Sequence, residues 1–213
     1  MALTATSLPV DDRHGHTVGF YETDGFLIEL VAGFIRPAID HDETAFVVMT
    51  VEHQRRLGEA LAADGVDVDA ALRRGQLVFV EAHATRQRLI SDGELDPERF
   101  RSITDELFAH ASSRGRPVRI FGYMVALFWE EGHVSTALAL EDLWNDLARV
   151  QPFELLCAHP LRAFSGPGSD DAFRSVCERH SAMANESYGR LGEPGTTGDT
   201  VVVLQREGLT WES

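Results

Sequence analysis

The sequence predicts an α/β fold: three layers, with a mostly parallel sheet carrying helices on both faces. Three observations lead there. Strand-like apolar runs alternate with helix-periodic segments along most of the 213-residue chain. The run at 45–50 (AFVVMT) is apolar almost throughout, as a strand buried on both faces requires. Hydrophobic residues make up 44% of the chain, enough for one domain with a sizeable core.

The elements follow in order. Residues 1–12 read as a tail. A short strand at 16–22 alternates Val18 and Phe20. Asp24 is placed to cap the next helix, whose apolar stripe is Leu27, Leu30, Val31, Phe34 and Ala38, with Pro37 helping to stop it. The buried strand at 45–50 leads to a helix at 52–63 and a short one at 67–73. A third strand lies at 76–82, followed by an irregular stretch, 83–96, with a turn at Ser91-Asp92-Gly93. Asp96-Pro97-Glu98 is a helix start, and that helix runs to about 113. Then come a strand at 117–123, a short helix at 124–131, a longer helix at 135–150 and a strand at 153–158. The long helix carries Leu140, Leu143, Trp144 and Leu147 on one face. Residues 165–169 form a linker. A helix at 171–188, aligning Phe173, Val176, Cys177 and His180, and an edge strand at 200–204 complete the pattern. The expected organisation is therefore a tail (1–12), a main domain (13–164) and a C-terminal part (165–213) packed on the same domain.

Composition narrows the function. The formal net charge is -15, which repels nucleic acid and anionic lipid, so neither is expected as a partner. The chain contains no lysine, so neither a P-loop nor a Schiff base is available. No segment approaches the roughly 20 apolar residues of a membrane span, and no signal peptide is seen. A cytoplasmic protein with two reduced thiols, Cys157 and Cys177, is expected.

In an open α/β sheet, ligands bind outside the carboxyl ends of the strands. The assignments put Tyr21, Glu22, Glu81, His83, Tyr123 and His159 on that rim, and these are the candidate ligand-binding residues. The first strand-to-helix turn, 19–25, lacks both glycine-rich nucleotide motifs and carries Glu22 and Asp24 where a phosphate would sit. Metal chemistry has one low-weight candidate set, Cys157, His159, Cys177 and His180, against the bland alternative of two buried cysteines. No cofactor is expected. No GxSxG elbow is present, and no nucleophile, base and orienting group come together, so no catalytic residue is assigned.

Five stretches taken together, HTVGFY at 16–21, GQLVFV at 75–80, VRIFGYM at 118–124, LEDLWN at 140–145 and LLCA at 155–158, resemble the MEDS family, the methanogen/methylotroph sensory domain. The resemblance covers roughly 14–164. It implies a degenerate RecA/KaiC-like core without the P-loop, and a role in sensing small molecules, including hydrocarbon derivatives, in signal transduction and transcription regulation. Tyr123 stands where the family usually has an acid, and His159 where it usually has Tyr. The expected function is thus a non-catalytic domain that binds a small organic ligand and signals to a separate protein partner. The alternatives are a pure protein-interaction module for a kinase or sigma-factor regulator, or a hydrolase or metal enzyme built on Glu81, His83 and His159.

Overall fold

The computed structural model describes residues 15–112, 114–165 and 169–184. The chain order is β1 (His16–Tyr21), α1 (Asp24–Asp40), β2 (Thr44–Met49), α2 (Val51–Ala63), α3 (Val68–Arg73), β3 (Leu77–Glu81) and α4 (Ala82–Leu89). It continues with β4 (Ile90–Ser91), β5 (Glu94–Leu95), α5 (Pro97–Ser112), β6 (Val118–Gly122), α6 (Met124–Glu130), α7 (Val134–Ala148) and β7 (Glu154–Pro160). One 3-10 turn (Leu161–Phe164), α8 (Ser169–Cys177) and β8 (Ala182–Met183) follow. Six strands form one sheet in the order β3-β2-β6-β7-β1-β8. Its neighbours pair in parallel throughout. The α/β class and layered parallel sheet predicted from the sequence are what the chain adopts.

The central strands explain the apolar runs. Every residue of β2 and of β6 is buried. Within β1 the faces separate cleanly. A Cβ on Gly19 would lie 2.5 Å from Leu30 Cδ2, so α1 packs on that face and only glycine admits so close an approach. The alternate residues His16 and Phe20 meet Glu141 of α7 and Phe173 of α8, which cover the other face. Arg119 is the charged residue within the apolar run of β6. It is held by Glu43 at 2.8 Å and Glu154 at 3.0 Å and lies over the Phe34 ring.

Three local expectations change. Thr23, not Asp24, caps α1: its Oγ1 accepts from the Phe26 N–H, and Asp24 lies in the first turn. Pro37 sits near the end of α1, as expected. In the last turn its missing N–H forfeits one bond only, and the helix closes at His41. The stretch after β3 is not irregular but helical. Both Glu81 carboxylate oxygens accept backbone N–H bonds at the start of α4. A tight hairpin then turns at Asp92 (φ 52) and Gly93 (φ 85), the positive-φ pair of a two-residue β-turn. Finally, α8 stops at Cys177, because the next residues leave it to dock on β1: Ser181 N–H donates to His16 O and Ala184 N–H to Val18 O. The expected strand at 200–204 and the tail at 1–12 lie outside the described residues.

Candidate functional site

Strand order reverses between β2 and β6. From β2 the chain moves outward to β3, and from β6 it moves the other way to β7. Such a switch point opens a crevice at the carboxyl ends of the two strands. Tyr123 follows β6 directly, its N–H donating to Val48 O. Its ring meets the His53 ring edge-on at 5.3 Å. His53 reaches this position because Thr50 caps α2 and accepts the His53 N–H. Tyr21, at the end of β1, completes the group. All three side chains are buried. His53 Nδ1 has no hydrogen-bond partner, and the Tyr21 hydroxyl makes only a weak side-chain hydrogen bond to Tyr123. Burial, then Tyr123 and Glu130, push the Tyr21 phenol well above its ordinary range, and burial raises Tyr123 as well.

A polar path leads outward from these rings. His53 Nε2 lies 3.5 Å from Asp24, which pairs with Arg56 at 3.1 Å. The Tyr123 hydroxyl donates to Glu130 at 3.4 Å, and Glu130 pairs with the exposed Arg162.

The other rim candidates go elsewhere. Glu22 is exposed on the β1–α1 turn. Glu81 serves as the cap of α4: burial is the largest single influence on its carboxyl and raises it, but the Ala84 and His83 N–H bonds together hold it below the usual range. His83 is exposed beside it. His159 lies inside β7, which runs on to Pro160, and its side chain is wholly buried. Glu81, His83 and His159 therefore do not converge: their strands, β3 and β7, are separated by β2 and β6. His53 was the residue that sequence reasoning missed. The available signal was a histidine three residues after Thr50, a capping residue at the end of a buried strand.

A second polar group lies between the sheet and α7. The carboxylate of Glu141 is 3.0 Å from His16 Nε2, 3.2 Å from His159 Nε2 and 3.5 Å from His180 Nε2. Cys157 Sγ lies 3.4 Å from His16 Nε2. One donor atom each from His16, Glu141, Cys157 and His180 falls within 4.8 Å of the others, and all four residues are buried. Burial opposes ionisation of Glu141, but the imidazoles, His180 first, prevail and hold its carboxyl below the usual carboxylate range. Burial pushes His180 down to about 3 and, helped by Glu141, pushes the Cys157 thiol well up. This group contains three members of the expected metal set, with His159 bonded to Glu141 rather than among the four clustered donors. Cys177 is not one of those donors; burial, helped by Glu178, takes its thiol up to about 12. The unforeseen members are His16 and Glu141. Glu141 follows Leu140 on the apolar side of α7, where a carboxylate needs a partner, and that position was the overlooked signal.

A family model for MEDS, the MEthanogen/methylotroph, DcmR Sensory domain, matches residues 15–175. No curated protein matches the chain. Among the described residues no helix is long and apolar enough to cross a membrane.

Proposed function

Because the chain belongs to the MEDS family of sensory domains, we propose that it is a non-catalytic sensor of a small, neutral, apolar or weakly polar organic molecule. The ligand enters the crevice over β2 and β6, and the signal passes to a separate regulatory protein. One observation carries this: His53 Nδ1, a buried polar atom without a partner, belongs to a ring packed edge-on against Tyr123 at the switch point. An unsatisfied buried group costs about 1–3 kcal/mol. Such a cost is retained where a ligand supplies the missing bond. With Asp24 accepting at Nε2–H, His53 offers an acceptor at Nδ1. A small hydroxyl or amide compound supplies the matching donor. Charged ligands are disfavoured, since burial opposes a charge there.

The hydroxyls of Thr23 and Thr50 are engaged as helix caps, so neither is set up as a nucleophile. The β1–α1 turn supports descent from a nucleotide-binding core that no longer takes nucleotide: Asp24 occupies the first turn of α1, where a phosphate would bind. A pure interaction module would present an apolar patch. The exposed large apolar side chains among the described residues are Val51, Leu72 and Val150, dispersed over α2, α3 and the end of α7.

Output runs from Tyr123 through Glu130 to Arg162 at the surface. The test is a thermal-shift screen against short-chain alcohols, ketones and amides, repeated with Tyr123→Ala and Tyr21→Phe. Stabilisation of the parent that both variants lose supports the site. Stabilisation that survives in both folded variants places the ligand elsewhere.

A further inference from the structure

Two hydrogen bonds decide which ring nitrogens face the sealed group under α7. His180 Nδ1 lies 2.7 Å from the Val176 carbonyl, which only accepts, so Nδ1 carries the hydrogen. His16 Nδ1 lies 2.9 Å from Asn145 Oδ1. That amide is oriented in turn, because its Nδ2 donates to Arg179 O at 2.9 Å. Both neutral rings therefore turn an Nε2 lone pair inward, toward Glu141 and Cys157. His16 Nε2 comes within 3.0 Å of Glu141 Oε2, yet Glu141 Oε2 and His180 Nε2 both lack a hydrogen-bond partner. Lone pairs of the two imidazoles and of the carboxylate converge in a buried interior, with His159 contacting the other carboxylate oxygen.

We propose that His16, Glu141, Cys157 and His180 form a closed four-ligand site for a divalent first-row transition ion, with zinc as its occupant. Zinc takes imidazole, thiolate and carboxylate in tetrahedral sets with bonds of about 2.0–2.3 Å, which puts the ligand atoms about 3.3–3.8 Å apart. Three of the contacts here, 3.0 Å to Glu141 Oε2, 3.4 Å to Cys157 Sγ and 3.5 Å from His180 to Glu141 Oε1, approach such edges, and all four donor atoms lie within 4.8 Å of one another, so binding draws them together by up to about 1 Å. One thiolate and one carboxylate against a doubly charged cation leave the buried site neutral. Binding displaces one proton, from the Cys157 thiol, to solvent. The surroundings match a metal centre as well. Each histidine donates its other nitrogen to a fixed oxygen, and His159 orients the carboxylate at 3.2 Å. The ion joins β1, α7, β7 and the segment before β8, so it fixes residues 178–184 to the edge of the sheet. This site is separate from the proposed ligand crevice and stands or falls independently of it.

The experiment uses tag-free, full-length protein. Elemental analysis after purification without chelator is expected to give about one zinc per chain, retained in Cys177→Ser and lost in Cys157→Ser and His180→Ala. Protein stripped of metal and titrated with cobalt(II) is expected to show tetrahedral d–d bands and a thiolate-to-cobalt charge-transfer band. The chain has two cysteines, so that band, kept in Cys177→Ser, identifies Cys157 even where Cys157→Ser fails to fold. Metal-free protein with neither a cobalt spectrum nor a zinc-dependent rise in melting temperature overturns the site. So does bound metal that Cys157→Ser and His180→Ala leave in place.

Discussion

The Tyr21–His53–Tyr123 group at the carboxyl ends of the strands and the Glu141 group under α7 both bury polar side chains on one sheet, but the first pairs directly with groups that lead to exposed charges, whereas the carboxylate of the second is enclosed by buried rings. From Tyr123 and His53, polar contacts run out to Arg162, whose side chain is 63% exposed, and to Asp24 at 55%. Around Glu141 the polar partners are themselves buried: Glu141 and His159 are at 0%, His16 at 5% and His180 at 7%. The contrast separates two uses of buried polarity. A group linked to solvent can exchange partners in the folded state, as reversible sensing requires. A sealed group acquires its partners when the chain folds and contributes to holding the fold together.

The largest expected effect lies in the sealed group. Glu141→Ala leaves three imidazoles without their shared carboxylate and is expected to cost about 3–5 kcal/mol in urea denaturation. Trp144→Ala, on the same helix against Phe100 and Phe153, calibrates a purely apolar loss of similar size, about 3–5 kcal/mol. A cost for Glu141→Ala below about 1 kcal/mol would break the contrast, since the carboxylate would then be dispensable to folding.

In the crevice the effect is expected to be small. Tyr21→Phe removes a buried hydroxyl whose one bond, to Tyr123, is weak, and is expected to change the stability of the ligand-free protein by less than about 1 kcal/mol. A loss of more than 1 kcal/mol in the same denaturation experiment would mean that the hydroxyl is satisfied in the fold. Smallest is the effect of Mg-ATP. Calorimetry is expected to show no saturable isotherm in the millimolar range, because the chain has no lysine and carries Glu22 and Asp24 at the first turn. A clear isotherm would contradict that.

How much of this was legible in the sequence depends on what holds each part. The parallel core was legible because its strands are buried on both faces, and AFVVMT admits little else. Helix α4 was not. It buries only Ala82, Thr85 and Leu89, and its start is fixed by the Glu81 side chain rather than by an apolar stripe. Strand β8 is two residues long and exists through backbone bonds to β1, which no side-chain pattern records. The positions of Tyr21 and Tyr123 at strand ends were legible because strand ends are predictable once strands are. His159 was expected on the rim because the strand was ended too early. Two more residues turn its side chain inward beside Cys157, at the same period-2 spacing. Glu141 and His16 come together from positions 125 residues apart in sequence, which only the β1–β7 pairing and the packing of α7 could reveal.

The central claim is that ligand enters at the crevice and leaves the sealed group unchanged. Hydrogen–deuterium exchange, with and without a compound that stabilises the parent protein, tests it most directly. Added protection is expected in residues 51–57 and 122–131, with 155–159 and 178–184 exchanging alike in both states. Protection confined to 155–159 and 178–184 would contradict it, and would move the sensing site to the metal-ligand cluster under α7.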